Sequence, residues 1–512
     1  MFTNWITPLK YTNSQQMRKK ILVIGSGLGG LTAALRLASD GYEVEILEKH
    51  HQAGGRLNQL KKDGFTWDMA PTFFSMSYEF SEFTEYADID MPFEFIELDP
   101  LYQVNFSGSD KFFTVYKDLQ KLAEEFKDIE PDFERRMQQY LKSAATIYHD
   151  TEYRIVKKNF TSLADYLLQL TKVPIRNAPK MLRSMWQEME KYFTSYEVKV
   201  IFSLVAFFLG ATPFDTPAVF SMLTYTELVH DGYHNVKGGM YKIVEGLLRE
   251  MEKQNIPIHY NTEIVNYAAG KDGLKGFMDQ HGNTWEADLF VVNSDAAWFR
   301  GQIFNRKGYT PEKLDRKKWT LAPFTLYLGI KGKLDHIHHH NYFLGKNFKE
   351  YAGKIFKNTI SLEKPYYYLN VPSRHNTGVA PEGHEALFIL CPVPDLRYKP
   401  DWSDREELAD NIIRDLSERI GYDIPSNLVS KTIYDPVKWK NMFNLYQGSG
   451  LGLAHDLNQV GGFRPNNRDE KYGNVYYVGS STVPGTGLPM AVISSKLVTE
   501  RINHEQKFVS EK

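Results

Sequence analysis

The stretch Ile21-Leu22-Val23-Ile24-Gly25-Ser26-Gly27-Leu28-Gly29-Gly30 decides the fold. Its apolar opening reads as a buried strand, and its glycine turn runs directly into the helical spacing of Leu31, Leu35, Leu37 and Ala38. Gly25 permits a tight turn, Gly27 lets backbone approach a pyrophosphate, and Gly30 lets the helix pack on the strand. Backbone N–H groups at the helix N-terminus then face phosphate oxygens. Glu48 ends a second strand at 44–47, where its carboxylate can accept both hydroxyls of an adenosine ribose and would repel a 2′-phosphate. The glycine spacing alone is weak, but strand, helix and acid together make a Rossmann-type dinucleotide site that favours FAD or NAD over NADP.

Glu48-Lys49-His50-His51-Gln52-Ala53-Gly54-Gly55-Arg56 separates those two cofactors. NAD has no use for a second Gly-Gly turn beyond the ribose acid, whereas the longer FAD brings it close to backbone there. Arg56 can pair with phosphate or lie beside a flavin ring. The C-terminal part supplies a matching half: the apolar strand Val475-Tyr476-Tyr477-Val478, the loop Gly479-Ser480-Ser481-Thr482-Val483-Pro484-Gly485-Thr486-Gly487, and a helix opening at Leu488-Pro489-Met490. Pro489 suits a first helical turn. Gly485 and Gly487 leave room for a planar ring against backbone, and the helix N-terminus would stabilise the anionic edge of a reduced flavin.

Composition narrows the class. The chain has 512 residues, enough for more than one core, and its net charge of -2 gives no electrostatic case for nucleic acid. A single cysteine, Cys391, excludes a disulfide framework or CxxC redox pair and suits a reducing cytosol. No second GxGxxG occurs mid-chain, so electrons leaving a flavin must go to a diffusible acceptor, oxygen or a quinone. The histidines at 336, 338, 339 and 340 read as a solvated loop, because neighbours in a strand point to opposite faces and no partner recurs at ligand spacing; no metal site is expected. The apolar run at 200–211 is too short to span a bilayer. Residues 163–193 alternate apolar side chains with Lys172, Arg176, Lys180 and Arg183, a pattern that suits either a helical surface on anionic lipid or helices packed on their own domain. Residues 1–17 read as a flexible extension, with Met17 an alternative start.

With Val236-Lys237-Gly238-Gly239-Met240, Val291-Val292-Asn293-Ser294-Asp295 and Phe463-Arg464-Pro465-Asn466-Asn467, these segments make the chain resemble the bacterial carotenoid desaturases of the phytoene desaturase type over nearly its whole length. The resemblance implies an α/β fold: a Rossmann-type FAD-binding domain like that of the flavin amine oxidases, a mixed-sheet substrate domain and a helical membrane-facing region. It implies FAD held by Gly25, Ser26, Gly27, Gly29, Gly30, Glu48, Lys49, Gly55, Arg56, Val265, Gly479, Gly487, Met490 and Val492. The FAD-binding domain is expected at 18–90, 236–297 and 456–505, the substrate domain at 91–150 and 298–455, and the helical region at 151–235.

The implied chemistry removes a hydride and a proton across a carbon-carbon bond of a carotenoid. Many family members carry Thr-His-Pro-Gly in the terminal loop, where this chain has Thr482-Val483-Pro484-Gly485. Val483 and the turn after it favour the hydroxycarotenoid 3,4-desaturase branch, acting on a 1′-hydroxylated or γ-carotene-type polyene. Phytoene desaturase, carotenoid isomerase, retinol saturase-like and amine oxidase activities are the enzymatic alternatives, and a non-catalytic carrier of prenyl lipid is the alternative of another class. No proton acceptor emerges from the spacing; Asp165 is a candidate, with a solvated helix carboxylate as its competing role. A lipid-soluble substrate implies a cytoplasmic enzyme lying peripherally on the inner membrane surface.

Overall fold

A computed structural model describes residues 18–271, 273–356 and 364–510. The expected extension at 1–17 lies outside the described residues. Lys20–Ile24 is the central strand of a five-stranded parallel sheet ordered Val475–Tyr477, Leu289–Val292, Lys20–Ile24, Glu43–Leu47, Ile258–His259. Because strand side chains alternate, Ile21 and Val23 pack under the helices Leu28–Ser39 and Leu488–Ser510, while Leu22 and Ile24 pack with Phe277 and Phe290 beneath an antiparallel meander. That meander comprises Ile264–Ala269, Leu274–Asp279 and Thr284–Glu286. The segment 258–265, one strand by its apolar pattern, is therefore two strands in different sheets, broken at Asn261, whose φ of 54° turns the chain.

A seven-stranded sheet forms the second layer, ordered Leu428–Tyr434, Ala322–Lys331, His384–Val393, Tyr367–Asn370, His340–Leu344, Tyr102–Phe106, Phe112–Val115. It is mixed: His340–Leu344 runs parallel to Tyr102–Phe106, and the other pairs are antiparallel. Phe324, Leu326 and Leu328 bury one face against Leu408, Ile412 and Leu416 of the helix Arg405–Ile420. The other face presents Tyr327, Tyr342, Tyr368 and Phe388 to a core shared with the helix Phe133–Thr151 and the short helices after it.

Residues 163–192 form the helices Leu163–Leu170, Ile175–Asn177, Ala178–Leu182 and Met185–Tyr192. The apolar run at 200–211 is interior, with Val200, Ile201 and Leu204 in that shared core. No helix among the described residues is long and apolar enough to cross a membrane.

Candidate functional site

The glycine turns meet at the ends of the parallel strands. Gly25 has φ of 98°, a left-handed conformation that strains any residue with a Cβ, and a Cβ there would come 2.7 Å from the Asn293 carbonyl oxygen. A Cβ on Gly30 would sit 2.2 Å from the Gly25 carbonyl oxygen, and one on Gly29 would meet the Gly479 Cα at 3.0 Å. Gly27 pairs with Gly54 in an isolated parallel bridge. Asn293, at the end of Leu289–Val292, braces this cluster: its amide Nδ2 donates to the Gly25 carbonyl at 3.3 Å and would lie 2.8 Å from a Cβ on Gly27. The helix Leu28–Ser39 starts from Gly27 with no side-chain cap and no acid in its first turn, so its first N–H groups remain available to an anion.

Glu48 is buried at the end of Glu43–Leu47. The backbone N–H of Ser26 (2.9 Å) and its hydroxyl (2.6 Å) donate to Oε2, and the His50 N–H donates to Oε1 at 2.9 Å. The carboxylate is thus fixed beside the glycine turn and lines the cavity with Lys49, Gly55 and Arg56. Arg56 donates to the Gly450 carbonyl at 2.5 Å and to the Ser480 hydroxyl, and no carboxylate forms an ion pair with it among the described residues. Burial pulls its pKa down, partly opposed by the Asp295 carboxylate, whose own pKa burial raises. A partly buried guanidinium held by neutral oxygens is suited to a phosphate or another electron-rich partner.

The terminal loop closes the same cavity through Gly479, Ser480, Gly485 and Gly487, and the first turn of Leu488–Ser510 follows it there through Pro489 and Met490. Behind it stands His455, whose Nε2 would be 2.9 Å from a Cβ on Gly485. Burial first, then the Arg464 cation, lowers its pKa to about 3, so the ring is neutral. Arg464 binds the carbonyls of Thr482 (3.1 Å) and Ser480 (2.9 Å) and so ties the loop down, with Nη1 left buried and unpartnered.

These parts line one cavity of about 1220 Å³. Small-molecule sites usually enclose roughly 300–1,000 Å³, so this one has room for more than a cofactor. From the glycine cradle it extends past Phe73, Phe208, Leu223 and Tyr342, and reaches Val173, Ile175 and Met181 in the short helices. Ile175 is 89 % exposed and Leu182, at the end of the next helix, 88 %. Leu167, Leu168 and Tyr153 are also exposed, in the helices Leu163–Leu170 and Glu152–Val156 whose Leu170, Ile155 and Val156 line the cavity.

Several sequence expectations change. Val265 does not line the cavity: its side chain is half exposed on the meander, and Glu263 and Ile264 line the wall instead. Val492 is buried in the helix core beneath Ala491, and Ser26 and Gly30 act behind the wall, on Glu48 and on turn packing. Asp165 does not line the cavity, although Tyr166 beside it does. Its carboxylate accepts the Thr161 N–H at 3.1 Å and a Gln169 amide hydrogen at 3.1 Å around a helix start, and those bonds hold its pKa below the usual carboxylate value. The histidine run is a solvated loop only at its start: His336 is exposed in a turn, whereas His339 and His340 are buried, and His340 stacks on Phe73 at 4.0 Å and bonds the Tyr368 hydroxyl at 2.6 Å. Lys180 is mostly buried on Ser143, and Arg176 and Arg183 pair with Asp150 and Glu188, so these cations serve the fold more than a lipid-facing stripe.

His455 and Glu227 carry no local motif, and Asn293 lies in a stretch that carries the resemblance without announcing its bracing role. Glu227 is nearly fully buried on the cavity wall, and burial pushes its pKa up to about 8. Its one sequence signal is a lone acid inside Met222-Leu223-Thr224-Tyr225-Thr226-Glu227-Leu228-Val229.

Residues 28–503 match the family of flavin containing amine oxidoreductases. A zeta-carotene-forming phytoene desaturase of Myxococcus xanthus is 32% identical, covering 94% of each chain. A carotenoid 3,4-desaturase of Haloarcula japonica is 30% identical, covering 94% of this chain and 97% of its own. Among solved structures, a putrescine oxidase bound to putrescine superposes with a TM-score of 0.64 at 12% identity, covering 95% of this chain and 99% of its own, which extends the likeness in fold alone. The chain belongs to the carotenoid desaturases, within the flavin containing amine oxidoreductases, and is an FAD-dependent oxidoreductase acting on CH-CH groups.

Proposed function

We propose that the chain desaturates a long carotenoid laid along this cavity, and that its reaction is 3,4-desaturation of a 1′-hydroxylated or γ-carotene-type polyene. The observation that carries this is one largely apolar cavity that joins the glycine cradle to an exposed apolar rim. FAD, when bound, would supply the two-electron acceptor: one hydrogen of the CH-CH bond would pass to flavin N5 as hydride, carrying both electrons, the other would leave as a proton, and oxygen or a quinone would later reoxidise the flavin. In this reading the helix start at Leu28 and Arg56 hold the pyrophosphate, Glu48 holds the ribose, and Gly479 to Met490 make the floor under the ring. Gly29, Lys49 and Gly55 complete the cradle.

The remaining work is positioning. Phe73, Phe208 and Tyr342 align the chain of double bonds and exclude water, and conjugation in the substrate spreads the positive charge left by hydride loss. A strong base is unnecessary, because a proton leaves such a cation readily. The FAD-binding domain at 18–90, 236–297 and 456–505, the substrate domain at 91–150 and 298–455 and the helical region at 151–235 belong to the same proposal. So does a cytoplasmic place on the inner membrane surface, with Ile175, Leu168 and Leu182 entering the lipid interface where the substrate dissolves.

A second reading, phytoene as substrate, is favoured by the Myxococcus relative's activity. Co-expression with pathways stopped at phytoene, lycopene, γ-carotene or 1′-hydroxylated carotenoids decides between them. The main reading expects new double bonds only from the coloured precursors. Conversion of phytoene alone would replace it with the second.

A further inference from the structure

We propose that Glu227, with the phenols of Tyr102, Tyr233 and Tyr342, forms an end-group subsite that receives a hydroxyl on the terminus of the polyene. This deepens the carotenoid reading above and rests on it.

A hydrocarbon terminus needs only apolar walls, and a buried carboxyl is an expensive wall to build. Three other acids of the cavity wall have partners that account for them. Glu48 holds the Ser26 and His50 N–H groups, Asp295 accepts from Trp298 at 3.0 Å, and Glu152 pairs with Lys157 at 2.7 Å. Glu227 has no cation beside it among the described residues. It faces the phenols of Tyr102 and Tyr233, and its Oε1 is buried with no hydrogen-bond partner.

The position is built by secondary structure. Glu227 lies in the π-helical turn Thr226–His230, a widened turn of the kind often found at functional sites. Opposite it, Tyr102 and Tyr342 come from the two parallel strands of the seven-stranded sheet, with ring centroids 5.6 Å apart. Tyr233 stands 6.4 Å from Tyr102 and 4.9 Å from Phe73, so an aromatic collar surrounds the polar atoms. The neighbouring phenol of Tyr368 is already satisfied by Thr72 at 2.8 Å and His340 at 2.6 Å, whereas that of Tyr342 makes no hydrogen bond among the described residues.

The chemistry of the group selects the ligand. Burial keeps the carboxyl and the phenols protonated at neutral pH, so the subsite is uncharged and holds both donors and acceptors. An anionic end group would meet no counter-charge, and a cation would have to draw the proton from Glu227. A hydroxyl fits: it can accept from a carboxyl or phenol O–H and donate to the unpartnered Oε1. The enclosed end group would also fix how far the polyene slides along the cavity, and therefore which bond lies over the flavin.

The test compares γ-carotene with 1′-hydroxy-γ-carotene, each loaded in liposomes, on FAD-loaded full-length protein. Leaving one hydroxyl unmatched in a buried polar site costs about 1–3 kcal/mol, roughly tenfold to a hundredfold. The wild type should favour the hydroxylated polyene by that ratio in apparent KM. Glu227→Leu should bring the ratio towards one, Glu227→Gln should retain part of it, and Tyr342→Phe, a smaller change that keeps the ring packing, should reduce it. Flavin content and Tm establish that each variant is folded. Turnover of both polyenes without preference by wild type, or a preference unchanged in Glu227→Leu and Tyr342→Phe, overturns the subsite and leaves the carotenoid reading standing. Turnover of neither polyene overturns both.

Discussion

Where the cavity passes Gly25, Gly54 and Gly479 its wall is main chain; where it passes Glu227 its wall is side chain. The first wall comes from turns at the ends of parallel strands, each written in a few adjacent residues. The second takes Phe73 from one loop, Tyr342 from a strand and Glu227 from a helical turn, with Tyr102 packed behind them on the neighbouring strand. A main-chain wall has one shape and suits a fixed cofactor. A side-chain wall can be retuned residue by residue, which suits the part of the site that chooses a substrate.

The largest expected effect falls on the main-chain wall. Gly27→Val puts carbon where Asn293 Nδ2 already stands, and Glu48→Arg buries a cation at a carboxylate held by three donated hydrogen bonds. Breaking buried charge and packing of this kind costs about 3–5 kcal/mol, so FAD affinity should fall on the order of a thousandfold and the purified variants should be colourless. Flavin absorbance of the soluble fraction checks this. Full flavin content in both would mean that the cofactor lies against another wall.

The rim comes next, as the outward continuation of the side-chain wall. Ile175 and Leu182 are each worth about 1.5–3 kcal/mol if they leave water for lipid, while a surface cation near anionic lipid is worth about 1 kcal/mol. Ile175→Asp with Leu182→Asp should therefore reduce liposome co-sedimentation more than Lys172→Glu does. Lys180→Glu should instead lower Tm, because Lys180 is tied to Ser143 inside the helical region. If the charge change dominates lipid binding, the apolar rim is not the contact.

Arg56 ties the main-chain wall together, since its guanidinium reaches both the Gly450 carbonyl and the Ser480 hydroxyl beside Gly479. Arg56→Lys keeps the charge but loses the fork, and charge-assisted hydrogen bonds are worth about 1.5–3 kcal/mol. FAD dissociation, followed by flavin fluorescence, should strengthen tenfold to a hundredfold in the variant. An unchanged constant would make Arg56 a brace for the terminal loop alone.

The same contrast explains what could be read from the sequence. Gly25, Gly27, Glu48 and the loop from Gly479 to Gly487 announce themselves because strand, turn and helix follow one another along the chain, and the structure brings them to one cavity. Of the seven-stranded sheet, the apolar pattern shows the strands near 325–330, 366–371 and 386–390, but not the joining of Tyr102–Phe106 to His340–Leu344, since parallel partners far apart in sequence leave no turn signal. Val265 follows the lining residues Glu263 and Ile264 directly, and its half-exposed side chain could not be told from theirs by the apolar pattern. His340 looked solvated because burial depends on the Phe73 ring, which arrives from a distant loop. Exposed cations in the 163–193 pattern could not be told from Lys180, whose partner lies on the helix Phe133–Thr151.

The smallest effect tests the side-chain wall without any ligand. Glu227 has its pKa raised from an ordinary 4.5 to about 8, so between those values the folded chain holds a proton that the unfolded chain has lost. Stability contributed by that proton is full at low pH, declines as pH rises from about 4.5, and reaches its floor near pH 8. Asp68, raised to about 6, contributes a similar decline that ends earlier, and the buried histidines His339 and His455, lowered to about 3, act in the opposite sense below the ordinary histidine value of 6.5. The interval from about pH 6.5 to 8 therefore isolates Glu227 from these groups, and the groups that face it, Tyr102, Tyr140, Tyr233 and Tyr342, stay neutral throughout because burial raises their pKa values. Glu227→Gln should lose part of the fall in Tm that the wild type shows across that interval. The difference should be a few degrees, since about 1 kcal/mol moves the Tm of a sizeable chain by roughly 2 °C. Parallel Tm profiles for wild type and variant would mean that Glu227 titrates in the ordinary range, with water or a cation at its carboxyl, and the neutral wall would be lost with it.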